Sequence, residues 1–100
     1  MIIGICRVEL YLPSNHSLKG KRQVLNSIKS RIKNRFNVSI AEIGHLETWQ
    51  RSTIGIAIVS NDKNYVNQEL NKVINHIEGS GIVSVLDYGI ELTSLNYGEL

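Results

Sequence analysis

Ile54-Gly55-Ile56-Ala57-Ile58-Val59 decides how this 100-residue chain is read. The run is apolar on both faces of an extended backbone, rich in β-branched side chains, and too short for a buried helix. It therefore predicts a central strand near 52–60. Just before it, Val38 to His45 reads as another strand, whose alternation shifts between Ile40 and Ala41 and so predicts a bulge there. Leu46 to Trp49 is a short connection between the two. Farther upstream, Ser17 is an N-cap for a helix near 17–36, ended by Asn34 or Asn37. Leu18, Val24, Leu25, Ile28, Ile32 and Phe36 share one apolar arc of that helix. Pro13-Ser14-Asn15-His16 is a turn cluster that separates it from a first strand near 2–12. In this strand Cys6, Val8, Leu10 and Leu12 fall on one face; Ile3, Ile5, Arg7, Glu9 and Tyr11 fall on the other.

Downstream of the central run, Asn61 or Asp62 caps a second helix near 62–78. Val66, Leu70, Val73 and Ile77 form its buried stripe, and Gly79 and Gly81 are its stop signals. A last strand near 82–93 sets Leu86, Tyr88, Ile90 and Leu92 on one face. The tail after Ser94 is expected to be less ordered. Strand, helix, strand, strand, helix, strand is the order of the ferredoxin-like α+β fold. The expectation is one domain over 1–100: a four-stranded antiparallel sheet with both helices on one face. The first and third strands, the most apolar, should be central. The other sheet face would then expose Ile3, Ile5 and one side of the third strand, and an uncovered apolar patch predicts an interface, most simply a homodimer.

Composition excludes several classes. At 42% hydrophobic residues the chain is too apolar to be disordered. No apolar run approaches the roughly 18 to 20 residues that span a bilayer, so no membrane role is expected. Met1 to Cys6 lacks the basic start and small-residue cleavage site of a signal peptide. Cys6 is the only cysteine, which fits a reducing compartment. A cytoplasmic location is the expectation. Cys6 alternates into the helix-covered face and reads as a small apolar core residue rather than a nucleophile.

Charge is distributed unevenly. Lys19, Lys21, Arg22, Lys29, Arg31, Lys33 and Arg35 lie between Leu10 and Ala41 with no acidic residue among them. The rest of the chain nets −5: of 11 basic residues 4 remain, against all 9 acidic ones. Lys19, Arg22, Asn26, Lys29 and Lys33 recur at spacings of three and four and form one helical stripe. Arg31 and Arg35 flank the buried arc on its other side. Such a stripe can neutralise phosphates along a nucleic-acid backbone. A face that serves only solubility usually mixes signs.

Trp49-Gln50-Arg51 is a second candidate. The indole of Trp49 is either a stacking surface for a base or a core residue under the loop. Arg51 either contacts phosphate or pairs with Glu42 or Glu47. His45, Glu47 and Glu42 include only one histidine and do not form a metal-ligand set. No Gly-rich phosphate loop, nucleophile elbow or paired-carboxylate pattern occurs, so neither catalysis nor a cofactor is expected. An RNA-recognition motif has this element order but stacks bases on aromatics of its first and third strands. Here the third strand has no aromatic and the first has only Tyr11, so any nucleic acid is expected at the helix.

Ser17-Leu18-Lys19-Gly20-Lys21-Arg22, Phe36-Asn37-Val38-Ser39-Ile40-Ala41-Glu42, Gly44-His45 and Trp49-Gln50-Arg51 stand in this order along nearly the whole chain. Together they resemble the YlxP-like family of small uncharacterised bacterial proteins. Gly20 departs from it, since members often carry an acidic residue there. The resemblance implies a ferredoxin-like fold. It also implies an association with RNA or the ribosome, because members' genes often lie near those for translation and ribosome maturation. It brings no catalytic residues. The expectation is a non-enzymatic RNA- or ribosome-associated protein that contacts phosphates through Lys19, Arg22, Lys29 and Lys33, with Arg51 and Trp49 beside them. The alternative is a homodimeric interaction module whose basic helix meets an acidic protein.

Overall fold

In the computed structural model, which describes residues 1–96, alternation builds β1 (Ile2–Tyr11). Gly4, Cys6, Val8 and Leu10 are buried, whereas Ile5 and Arg7 are exposed on the opposite face. The central run forms β3 (Arg51–Ser60), flanked by β2 (Ser39–Gly44), and β4 (Ser84–Ser94) completes the sheet. All neighbours are antiparallel and the order is β2-β3-β1-β4. The ferredoxin-like arrangement is therefore present, with the two most apolar strands inside.

Both helices contribute to a single core. From α1 (Leu18–Arg35) come Leu25, Ile28 and Ile32; from α2 (Lys63–Glu78) come Val66, Leu70, Val73, Ile74 and Ile77. These meet Cys6, Val8, Leu10, Ile54, Ile56 and Ile58 of the sheet. The helix α2 sits directly on β1 at Gly4, where a Cβ would collide with Val66 Cγ1 and Leu70 Cδ1. Caps define the helix starts. The Ser17 hydroxyl accepts from Gly20 N at 3.0 Å, and the Asp62 carboxylate accepts from Asn64 N and Tyr65 N at 2.9 and 3.2 Å.

Several details differ from the sequence reading. The irregularity in β2 lies between Glu42 and Gly44, not between Ile40 and Ala41. Ile40 and Glu42 both stay on the helix side, opposite Ile56 and Ile54, and Ile43 is the extra residue. A second register shift opposite Glu9 and Leu10 makes Leu86 the extra residue in β4. Val85, not Leu86, therefore joins Tyr88, Ile90 and Leu92 on the helix side. The first helix ends at Arg35 with Phe36 as its C-cap, whose N–H reaches Ile32 O at 2.8 Å. At the other end Leu95 still pairs with Met1, its N–H donating to the Met1 carbonyl at 2.9 Å. The remainder of the expected tail, 97–100, lies outside the described residues.

Candidate nucleic-acid interface

The buried face of α1 runs Lys21, Leu25, Ile28, Ile32 at spacings of four, three and four. Rotating about the helix from that seam places Lys19, Arg22, Asn26 and Lys33 in solvent, with Lys29 half-buried between them. Arg31 and Arg35 are exposed on the other flank. None of Lys19, Arg22, Lys29, Arg31, Lys33 and Arg35 forms an ion pair with a described carboxylate. The first turn of α1 carries no acidic residue; Lys33 and Arg35 lie in its last turn, where the helix dipole favours cations.

Lys21 is the exception among the seven basic residues. Its side chain is 1% exposed, and its ammonium lies 2.8 Å from Glu42 Oε2 and also donates to the His45 carbonyl. Ser52 Oγ donates to the same carboxylate oxygen of Glu42 at 2.7 Å. A buried ammonium needs both a counter-charge and hydrogen-bond acceptors, and β2 with its following turn supplies them. Lys21 thus clamps the N-terminal part of α1 to the β2–β3 connection. Its place four residues before Leu25, on the buried arc, was the available sequence signal. Glu42 as its partner was not visible in the spacing.

A second tie lies beside the first. The Asn15 side-chain amide donates to Ser17 O, at the cap of α1, and to Trp49 O. Gly20 leaves the room for this: a Cβ there would sit 2.5 Å from Asn15 Oδ1. The glycine that breaks the capping-box pattern therefore admits the asparagine that fixes the loop. Leu12 N–H donates to Gln50 O at 2.9 Å and the Gln50 amide reaches Pro13 O at 3.5 Å. His45 turns the chain at φ 58°, the left-handed region, at the head of this loop.

The loop holds its backbone in place and presents its side chains. Trp49 is 53% exposed, so it is not a core residue under the loop. Arg51 is half-buried and pairs with neither Glu42 nor Glu47; its Nε is buried with no hydrogen-bond partner. The structure thus gathers Lys19, Arg22 and the Trp49 backbone near the α1 cap. Lys29 and Lys33 lie about two and three helical turns beyond Arg22 along the same stripe.

On the opposite sheet face, Glu9 accepts from Thr53 Oγ1 at 3.0 and 2.8 Å and from Arg7 at 3.0 Å. Burial by itself raises the Glu9 carboxyl. The Thr53 and Arg7 hydrogen bonds, with the charges of Arg7 and His45, outweigh it and hold the group below its ordinary value. This cluster arises from the pairing of Glu9 with Thr53 across β1 and β3, which no sequence spacing announces. Glu42 is engaged by Lys21, and the described residues contain no group of three potential metal ligands. Burial pushes the Cys6 thiol up to about 11, with Arg7 only partly offsetting it. At neutral pH the thiol is protonated and a poor nucleophile. No helix among the described residues is long and apolar enough to cross a membrane.

Known proteins resemble this chain in both sequence and fold. The Uncharacterized protein YlxP of Bacillus subtilis (strain 168) is 44% identical over 77 residues, which cover 77% of this chain and 84% of that relative. A solved structure, the de novo designed protein Foldit4, is similar with a TM-score of 0.54 over 96% of this chain and 100% of that one. At 9% identity this second likeness concerns the fold alone. Residues 3–90 match the family described as Protein of unknown function (DUF503), and the chain belongs to that family.

Proposed function

We propose that this protein binds RNA without base specificity, through phosphate contacts along α1. One observation carries the reading: the basic stripe faces solvent, with only Lys29 half-buried, and pairs with no carboxylate among the described residues, after the one buried lysine has been neutralised by Glu42. Leaving such charges uncompensated gains nothing for the isolated fold. It is useful where a polyanion supplies the missing charge and releases its counterions. From Lys19 to Lys33 the stripe runs about 21 Å along the helix axis, enough for several successive phosphates. The choice of RNA over DNA rests on the resemblance, whose members' genes lie beside those for translation. The protein would act in the cytoplasm and needs no catalytic group for this role.

Trp49 extends the surface at the cap end of α1. An exposed indole on a tied-down backbone can stack on an unpaired base with little ordering cost. Arg51 lies in the strand that follows. The sheet is not the reader: on its open face between Ile3 and Glu9, and across from them on β3, no aromatic side chain occurs.

The test is fluorescence anisotropy of labelled RNAs of unrelated sequence, over a range of salt. Comparable affinities and a steep salt dependence are expected. Reversing Arg22 and Lys29 to Glu should weaken binding to all of them and reduce the log–log salt slope by about two. Arg22 is exposed and Lys29 half-buried beside the apolar seam, so the fold should persist at a cost of about 1 kcal/mol or less. Unchanged affinity and slope would remove α1 from the interface. Binding of an acidic protein in place of RNA would favour the interaction-module reading.

A further inference from the structure

The sheet face away from the helices is uncovered by any described residue, and its relief is uneven. A groove of about 460 Å³ runs over Ala41, Gly55, Ala57 and Gly89, walled by Ile5 and Ile43. Register explains the shape. One cross-strand row reads Ala41, Gly55, Arg7, Gly89, and the next reads Ser39, Ala57, Ile5, Glu91. Small residues on β2 and β3, with Gly89 on β4, thus flank larger ones on β1. Exposed apolar side chains continue along the face, with Ile5 at 45%, Ile43 at 58% and Val59 at 62%.

A ridge beside a hollow of matching length is self-complementary. Rotation about a two-fold axis lying in the interface, parallel to the strands and between β1 and β3, sets the β1 ridge of one copy over the small-residue hollow of another. Charge supports the same occupant. Arg7 and Arg51 stand against Glu9, Asp87 and Glu91 on this face, and Arg7 is already tied to Glu9 at 3.0 Å and Asp87 at 3.7 Å. A nearly neutral face neither repels its own copy nor attracts a polyanion. Size is adequate too. Strands of ten, six, ten and eleven residues present a sheet face of about 600 Å². Two such faces bury about 1,200 Å², above the roughly 1,000 Å² that a specific interface needs.

We propose that a second copy of this chain covers the open sheet face in a two-fold dimer. The sheets then pack face to face at about 10 Å, and the helices of both copies lie on the outside. If α1 binds RNA as proposed above, the dimer carries two basic stripes on opposite outer surfaces. One particle then bridges two RNA segments rather than lengthening a single contact.

Sedimentation equilibrium of the protein without RNA tests the dimer independently of the RNA reading. A mass of twice 11.2 kDa is expected at micromolar concentration. Ile5→Glu and, separately, Ala57→Arg should return it to 11.2 kDa with an unchanged far-UV circular dichroism spectrum. Mixed labelled and unlabelled wild-type protein gives a readout that needs no variant. Isotope-filtered nuclear Overhauser contacts between copies are expected among the Ile5, Ile43 and Ala57 methyls. A monomer throughout the range overturns the proposal, as does a dimer whose contacts between copies lie elsewhere. A dimer without RNA binding leaves the interface standing and removes only the bridging role.

Discussion

Lys21 shows how one residue can leave the group to which composition assigns it. It is a member of the basic segment by sequence and a buried strut by structure, held by Glu42 and the His45 carbonyl. Replacing it by Met keeps the apolar stem but strands the Glu42 carboxylate and frees that carbonyl. Breaking a fully buried pair costs about 3 to 5 kcal/mol; Glu42, at 17% exposure, retains some water, so about 3 kcal/mol is expected. Chemical denaturation of Lys21→Met measures it. The single tryptophan offers a second readout, because loosening the 45–50 loop should change Trp49 emission before global unfolding. Trp49 itself behaves in the opposite way. Its exposed ring contributes little to folding, so Trp49→Ala should cost about 1 kcal/mol or less while lowering RNA affinity. A loss of several kcal/mol would show that the indole packs against the domain.

At the scale of elements, α1 is held by a seam of four buried residues with Val24 packed beside them, and its solvent-facing positions carry the charge. Its solvent-facing cations can therefore be changed with small effects on packing. The helix α2 is the tighter element. It meets β1 over Gly4, where even a methyl group would meet Leu70 Cδ1 at 2.9 Å and Ile58 Cγ2 at 3.2 Å. Gly4→Ala must push α2 off the sheet or move two core side chains from their rotamers. A destabilisation of about 1 to 3 kcal/mol is expected, measured by urea unfolding with the slope unchanged. Equal or higher stability would mean that α2 can slide, and that the contact is looser than its distances imply. The two extra residues, Ile43 and Leu86, act on the edge strands. Each shifts the register by one, so edge residues keep the correct face against β3 or β1 while the strand bends.

For the whole molecule, the fold segregates three surfaces: a basic helix face, a polar end tied by Lys21 and Asn15, and a nearly neutral open sheet. The sheet also carries a pH-sensitive group. Glu9 has a carboxyl lowered from its ordinary 4.5, so the folded state binds its proton more weakly than the unfolded chain does. Its stabilisation is complete above 4.5 and disappears as pH falls through the lowered value. Glu9→Gln removes that linkage. The stability difference between wild type and variant should therefore be largest near neutral pH and shrink on acidification below 4.5. Urea midpoints across an acid series measure it; a constant difference would mean that Glu9 contributes by packing alone.

Much of this architecture was legible in the sequence because it is written in periodicity. Alternation in Ile2 to Leu12, the two-faced apolar run Ile54 to Val59 and the seams at Leu25, Ile28, Ile32 and Val66, Leu70, Val73 are local patterns. Burial of apolar area turns each into an element with one available packing solution. The lack of acidic residues from Leu10 to Ala41 likewise foretold an uncompensated helix face. What the sequence could not determine depends on contacts distant along the chain. Spacing did not reveal that Lys21 is withdrawn from solvent by Glu42, that Asn15 fits the space over Gly20 to hold Trp49, or that Glu9 meets Thr53. Register at Glu42 and at Leu86 was equally hidden, since a one-residue shift depends on which neighbour the strand must match. Only the tertiary structure chose those partners, because a buried polar group takes whichever donor or acceptor the packed backbone brings within about 3 Å.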